Sequence, residues 1–406
     1  VAAGYSYENG DSTVVVSAGA ALKALTRYTA DATTALKSIK GGALSTAFSI
    51  SLVTQIDSTD KFPVISDNAL LDLVQQQTFK YFWDYGHPTS GLARERSNAT
   101  PETITTGGSG FGIMAIPIGI GRSFITRAQG LTRMQTIVSF LKNTAQKFHG
   151  AFPHWMNGTT GVVIPFSTKD DGADLVETSY LMAGLLTARQ YFNGADPAET
   201  ALRTDINTLW NAVEWNWFRQ GGQNVLYWHW SPNYAWQMNV KISGWNECLI
   251  TYILAASSTT YGIPQVVYKE GFARNGAMQN GSTYYGYQLP LGAANGGPLF
   301  FAHYSFLGIN PNGLNDSYAN YQTQVVNHTK IIYEYCKANP RANFGYSNLC
   351  WGLTASDVPG GYNANEPNND IGVISPTAAI SSMPYTPAES MNALKFFYYK
   401  LGDKVW

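Results

Sequence analysis

The chain has 406 residues, 45% of them hydrophobic, and a formal net charge of −1 at pH 7. This length and composition predict a globular protein with one large domain and an appendage, and they exclude a disordered chain. Because Lys and Arg form no dense run, we expect no binding to nucleic acid or to anionic membranes. No apolar run is long enough to span a membrane.

Residues 1–62 predict a small β-rich N-terminal domain. Thr13 to Ser17 is rich in β-branched residues, and apolar and polar residues alternate from Phe48 to Leu52, which is typical of a half-buried strand. The alanine-rich residues 18–37 between them are compatible with a helix or a strand. The chain opens on strand-like sequence without an initiator Met. We therefore expect a processed form of an exported protein, periplasmic or on the cell surface, whose export signal is not visible here.

Residues 63–406 change to a helical period and predict a second, larger domain. Long loops rich in Gly, Asn, Pro and aromatic residues separate the helical segments. Repeated helical hairpins over this length favour an α/α toroid, in which an inner ring of helices surrounds a cavity. The apolar stripes are Leu71, Val74 and Phe82, then Met134, Ile137, Val138 and Leu141, and finally Leu249, Ile250, Ile253 and Leu254.

Three carboxylates, Asp170, Asp174 and Glu177, have spacings of four and three residues, so on one helix they would share a face. Such a stripe destabilises an isolated helix, and only 13% of this chain is charged. The apolar residues that follow predict a buried helix with these acids at its first turns, facing a cleft. Clustered carboxylates suit acid/base chemistry on a neutral substrate, because neighbouring charges split their pKa values.

A fourth acid, Glu247, falls in the predicted first turn of an apolar helix, beside Trp245. If desolvation dominates there, its carboxyl stays protonated and can act as an acid. The alternative is a glutamate that only complements the helix dipole.

The aromatic fraction is 14%, with 11 Trp and 25 Tyr. Aromatic rings stack on the apolar faces of sugars, so a neutral, aromatic-rich chain favours a carbohydrate ligand. A large core is the alternative for any single Trp. The densest cluster contains Trp228, Trp230, Tyr234 and Trp236.

The three cysteines, Cys248, Cys336 and Cys350, predict neither a zinc site nor a disulfide framework, although one Cys336–Cys350 bridge stays open. We expect no cofactor and no metal, apart from adventitious Ca²⁺ on the acids. Of the remaining candidates, Arg94 and Arg96 would either bind substrate hydroxyls or form ion pairs with acidic residues. The indole of Trp351 suits stacking or a core, and Asp370 suits a site or an Asx turn.

Several stretches in this order resemble the glycoamylase-like family that contains bacterial β-1,2-glucan hydrolases, glycoside hydrolase family 144. Each stretch is weak alone, and together they span residues 66–406. They are Gly91 to Asn98, Thr106 to Gly112, Phe152 to Trp155, Asp170 to Tyr180, Trp245 to Glu247, Trp351 to Asp357 and Asp370 to Pro376.

The resemblance implies an (α/α)6 barrel that hydrolyses β-1,2-linked glucose chains with inversion at the anomeric carbon. It makes Glu247 the proton donor and places Asp170, Asp174 and Glu177 on the opposite wall of the cleft. From the resemblance and the residue types together, we expect five further residues to bind substrate: Arg94, Trp155, Trp245, Trp351 and Asp370.

The expected partner is a β-linked glucan or gluco-oligosaccharide, and the expected state is a monomer or a homodimer. An N-terminal domain close to the barrel favours exo action with sophorose release, while an endo-β-1,2-glucanase and a β-1,2-glucan transglycosylase remain alternatives. A glycan-binding protein would need the aromatics without the acids. A polysaccharide lyase would need cations for a uronate, whereas these motifs concentrate acids.

Overall fold

The computed structural model describes residues 1–98 and 100–405, with side chains described through Asp403. Its α-helices are α1 Asp67–Trp83, α2 Thr106–Gly121, α3 Arg127–Asn143, α4 Leu175–Tyr191, α5 Pro197–Ala212, α6 Leu249–Ser257, α7 Phe300–His303, α8 Tyr321–Ala338, α9 Pro376–Ser381, α10 Pro387–Lys395 and α11 Leu401–Val405.

The strands are short outside the N-terminal region, and they pair as hairpins or as small antiparallel ladders. They are β1 Ala3–Glu8, β2 Thr13–Ala18, β3 Arg27–Ala32, β4 Phe48–Val53, β5 Thr103–Thr105, β6 Trp155–Asn157, β7 Val163–Ile164, β8 Ala173–Asp174, β9 Leu226–Tyr227, β10 His229–Trp230, β11 Lys241–Ile242, β12 Thr283–Tyr284, β13 Tyr287–Gln288, β14 Ala355–Val358 and β15 Gly361–Ala364.

The chain divides into two compact units, Val1–Val64 with the C-terminal segment from Lys395, and Ile65–Leu394. The division lies two residues from the predicted boundary at 62/63. The contacts group the segment from Lys395 with the first unit, whereas we assigned that segment to the barrel. Independent folding of residues 1–62 as a domain stays a prediction.

In the first unit, β1 pairs with β2 and β3 with β4, each pair as an antiparallel hairpin. The strands predicted around Thr13 to Ser17 and Phe48 to Leu52 are confirmed. The half-buried character predicted for β4 is wrong, since each of its residues is exposed and Phe48 is 52% exposed. Each hairpin is a separate two-stranded sheet, and such a ribbon offers no core for one face to cover.

The second unit is mainly helical. The stripe predicted from Met134 to Leu141 is confirmed, since helix α3 buries all four of its residues. In the other two predicted stripes Leu71, Phe82 and Ile253 are only half-buried. Helix α4 is buried over most of its length, as predicted from the apolar run after Glu177. Among the described residues, no helix has both the length and the apolar character that a membrane crossing requires.

Helix α2 has no counterpart among the predicted helices, because its glycines and Pro117 are poor helix formers. Tertiary packing explains why it forms. A Cβ on Gly110 would lie 2.1 Å from the carbonyl oxygen of Tyr180, and one on Gly184 would lie 2.3 Å from that of Gly110. Glycine at both positions lets α2 and α4 approach backbone to backbone, which brings the start of α2 beside Glu177.

Candidate active site

The acids Asp170, Asp174 and Glu177 come together, but not as a stripe on one helix. Helix α4 begins only at Leu175; Asp174 is its N-cap, and Asp170 lies in the preceding loop. The predicted helical stripe is therefore wrong. Asp174 has an extended backbone and lies outside the helix, and its side chain caps the first turn. Only Glu177 lies in the first turn.

Asp174 is fully buried, and both of its carboxylate oxygens accept hydrogen bonds. Its Oδ1 accepts from the backbone N–H groups of Val176 and Glu177, each at 2.9 Å, and its Oδ2 lies 3.1 Å from Nδ1 of His154. Burial alone would raise the pKa of Asp174. The hydrogen bond from His154 and the nearby histidines lower this pKa below its usual value.

Two histidines that the sequence analysis did not select face the same carboxylates. His154 precedes β6 and stacks on Phe166, with ring centroids 4.3 Å apart. His229 is the cross-strand partner of Asp174 in the β8–β10 pair. Its Nε2 lies 3.5 Å from Oδ2 of Asp170 and 3.6 Å from Oδ2 of Asp174.

The two imidazoles carry different charges. Burial would lower the pKa of His154, but the charge of Glu177 and the hydrogen bond and charge of Asp174 raise it to about 9. Burial and the charge of His154 lower the pKa of His229, against the attraction of Asp174. At neutral pH the site therefore holds one imidazolium at His154 and a neutral ring at His229.

Asp170 and Glu177 both have pKa values near neutrality. Burial raises the pKa of Asp170 to about 7; the charge of Asp174 adds to the rise and His154 opposes it. Burial also raises the pKa of Glu177 to about 7, where its Oε2 accepts from the backbone N–H of Gly107 at 2.7 Å. Oδ1 of Asp170 has no hydrogen-bond partner within the described part of the chain.

Glu247 lies in a turn two residues before α6, so its predicted place in the first turn of that helix is wrong by those two residues. The hydroxyls of Tyr180 and Ser305 donate to its backbone carbonyl at 3.1 and 2.5 Å. Burial raises the pKa of its carboxyl to about 7, and the charges of Glu177 and Asp174 add to the rise. Its Oε2 is buried and has no partner among the described residues.

Trp155 and Trp245 lie beside these acids in different ways. Trp155 follows His154 directly and meets its ring edge to face, with centroids 5.7 Å apart, and it is partly exposed. Trp245 is only 6% exposed and packs against Tyr321, with centroids 5.7 Å apart. Its placement two residues before Glu247 makes it a support for that turn.

The other predicted substrate contacts are occupied or buried. Arg94 donates to the carbonyl of Pro101 and lies over the ring of Tyr85. Trp351 is fully buried. Asp370 is 5% exposed and accepts from Tyr335, Asn343, Tyr346 and the backbone of Gly372.

Arg96, the alternative hydroxyl clamp, pairs with Glu95 at 2.6 Å and with Asp357 at 3.0 Å. The three cysteines are free thiols, so the Cys336–Cys350 bridge left open above is not formed.

His154, Asp170 and Asp174 offer ligand atoms within 4.8 Å of one another, a spacing compatible with a metal ion. The hydrogen bond between Nδ1 of His154 and Oδ2 of Asp174 already pairs two of these atoms. A protonated Nδ1 has no lone pair for a metal.

Comparison with known proteins gives the family. The glycoamylase family model matches residues 239–406. The chain is 51% identical to the crystallised endo-β-1,2-glucanase of Chitinophaga pinensis, with a TM-score of 0.80 and coverage of 82% of this chain and 83% of that one. The chain belongs to the glycoamylase-like family that contains β-1,2-glucan hydrolases. The resemblance found in the sequence motifs is thereby confirmed.

Two further members of the family come from Parabacteroides distasonis. An exo-β-1,2-glucooligosaccharide sophorohydrolase (non-reducing end) is 46% identical over an alignment of 374 residues that covers 87% of this chain and 52% of that relative. A crystallised β-1,2-glucanase is 44% identical with a TM-score of 0.82, covering 91% of this chain and 55% of that one. The chain thus spans about half the length of the curated relative it matches.

Proposed function

We propose that the chain is an inverting glycoside hydrolase that cleaves β-1,2-glucosidic bonds in β-1,2-glucan or its oligosaccharides, on an (α/α)6 barrel. The observation that carries the proposal is the set of buried carboxyls with pKa values near 7, Asp170, Glu177 and Glu247, in a chain whose relatives are named for β-1,2-glucan hydrolysis. Inverting hydrolysis requires one protonated and one ionised carboxyl at the same pH.

Glu247 is the general acid of this proposal. Its pKa of about 7 keeps part of the carboxyl population protonated at neutral pH, where an exposed glutamate would be ionised. The buried Oε2 has no partner in the described chain, so it is available to a glycosidic oxygen. The hydroxyls of Tyr180 and Ser305 fix the backbone of the acid through its carbonyl.

Asp170 is the base that accepts a proton from the attacking water. Asp174 suits that role poorly, because both of its oxygens already accept hydrogen bonds. One oxygen of Glu177 is held by Gly107. Asp170 has an unpartnered Oδ1. Its pKa of about 7 lies near the operating pH, which is where a general base is most effective.

Exo action with release of sophorose is the mode that we propose, on the strength of the sophorohydrolase that is 46% identical over 87% of this chain. Endo cleavage is the second candidate, favoured by the 51% identity to the endo-β-1,2-glucanase. We also propose that the protein is exported, to the periplasm or the cell surface, and acts as a monomer or a homodimer.

Time-resolved sizing of the products from linear β-1,2-glucan tests the proposal. We expect sophorose as the first product while the mean polymer length falls slowly, and NMR of fresh product should show the α-anomer. An early ladder of intermediate chains would establish endo action instead. Chains longer than the substrate would indicate transglycosylation, and binding without any product would refute an enzyme. The Glu247→Gln variant is the matched control for product formation.

A further inference from the structure

His154 is the charged partner of the buried carboxylates. Its Nδ1 donates to Oδ2 of Asp174 at 3.1 Å, and its ring is held flat against Phe166 with an interplanar angle of 29°. The hydrogen bond and the stacked ring fix both the position and the plane of the imidazole. Its side chain keeps 24% of its surface exposed, so one edge faces the solvent-accessible part of the site.

The surroundings favour a positive charge at this position. Asp174 accepts two backbone N–H groups at Oδ1 and the hydrogen bond of His154 at Oδ2, a set of donors that favours the ionised carboxylate. A fully buried carboxylate is costly unless a cation compensates it. His229 also faces Oδ2 of Asp174, but two imidazolium rings at one oxygen would repel each other. His154 is the ring with the shorter contact.

Four titratable groups face or influence His154. Asp174 and Glu177 come from β8 and the first turn of α4, Asp170 from the loop before β8, and His229 from β10. The first three attract a proton to His154, whereas His229 competes for the same carboxylate. In return, the charge of His154 favours the ionised forms of Asp170 and Glu177.

We propose that His154 is a positioning residue for hydrolysis, an imidazolium at neutral pH that favours the ionised form of Asp170, the base, while Asp174 holds the ring in place. This inference rests on the proposed function, because it needs Asp170 to act as base. It extends that function by giving the acid cluster a cationic member.

The charge of His154 can be measured without catalysis. In the intact protein labelled with ¹⁵N-histidine, six imidazoles give signals, and comparison with His154→Gln assigns the missing one. We expect His154 to be protonated at pH 7 and to titrate near pH 9, while His229 is neutral at pH 7. A neutral His154 at pH 7 would overturn the inference, whatever the fate of the variants.

The effect on the reaction is measured by the pH profile of kcat/KM. Glutamine keeps an N–H donor for Asp174 but removes the charge, so in His154→Gln the acidic limb should move to higher pH by about one unit or more. His149→Asn is the matched control, since His149 pairs with Glu214 at 3.0 Å outside the acid cluster. Its profile should coincide with that of the wild type.

The outcomes separate the two proposals. An unmoved acidic limb in His154→Gln refutes the positioning role of His154. Absence of any product from β-1,2-glucan with the wild-type protein refutes the proposed function itself. If His154 is neutral at pH 7 and Glu247→Gln is inactive, the hydrolase assignment stands and only the present inference fails.

Discussion

The backbone N–H of Gly107 donates to Oε2 of Glu177 at 2.7 Å, where helix α2 meets helix α4. The contact links the glycine-rich helix to the acid cluster. A Cβ on Gly107 would lie 2.4 Å from that same oxygen, whereas one on Gly110 would meet the backbone of Tyr180 at 2.1 Å. The two glycines are one helical turn apart. We expect Gly107 to matter for activity and Gly110 for stability.

Gly107→Ala should lower kcat with little change in the melting temperature, because the end of the Glu177 side chain can move away at low cost in stability. Gly110→Ala should instead lower the melting temperature, since backbone cannot yield and overpacking costs about 1–3 kcal/mol. Gly121→Ala is the control, with no atom within 4 Å of the added methyl. Measuring kcat and thermal unfolding on the same preparations checks this. Equal effects of the first two variants would contradict it.

Glu247→Gln should lower turnover of β-1,2-glucan by about 10²–10⁴-fold, because an amide cannot donate the leaving-group proton. The melting temperature should be unchanged or higher, since the variant removes a buried acid whose ionisation is unfavourable. Glu334→Gln on α8, where the carboxylate pairs with Lys337 at 3.0 Å, is the control. If activity of Glu247→Gln stayed within a few-fold of wild type, another group would have to be the acid.

The acids of the site could be found from the sequence, but their arrangement could not. Spacing of four and three residues selected Asp170, Asp174 and Glu177, yet with Asp174 as N-cap the helix begins only after the first two acids. Capping depends on the extended backbone of one residue, and periodicity does not report it. The pairing of β8 with β10, a long-range contact, brings His229 opposite Asp174.

His154 and His229 were missed because single histidines carry little signal without a partner. The available clue for His154 was its place in the Phe152 to Trp155 stretch, and for His229 its place between two Trp residues. Trp351 and Asp370 were selected as substrate contacts but are buried. Residue type alone does not distinguish a surface indole or carboxylate from a buried one. Helix α2 was not predicted because its stability comes from close packing of glycines, which propensity counts as unfavourable.

Asp170→Asn should abolish most of the turnover and make stability less sensitive to pH. The folded-state pKa of Asp170 is about 7 against an ordinary 3.8. The folded protein therefore binds more protons than the unfolded chain between about pH 4 and pH 7, and stability falls as pH rises through that window. The asparagine variant lacks this loss. We expect its melting temperature to exceed that of wild type at pH 8 and to match it at pH 4. A constant difference across this range would be inconsistent with a raised pKa at Asp170.

Asp174→Asn should change the pH dependence of stability in the opposite direction to Asp170→Asn, with a large loss of stability at neutral pH. The variant removes the negative charge that pairs with His154 and turns an oxygen of the cap into an amide that can point the wrong way. Asn is itself a good N-cap, so the main cost comes from the buried imidazolium that is left without its carboxylate. In wild type, Asp174 should contribute to the free energy of unfolding above its ordinary pKa of 3.8, and this contribution should be lost as pH falls below that value, because the folded-state pKa is lowered.

Denaturant unfolding of both proteins at pH 7 and at pH 3 measures the difference. We expect a large gap at pH 7 that narrows at pH 3, with Asp205→Asn, an exposed acid on α5 paired with Lys142, as the control that shows no such gap. Equal gaps at both pH values would mean that Asp174 acts through shape and not through charge.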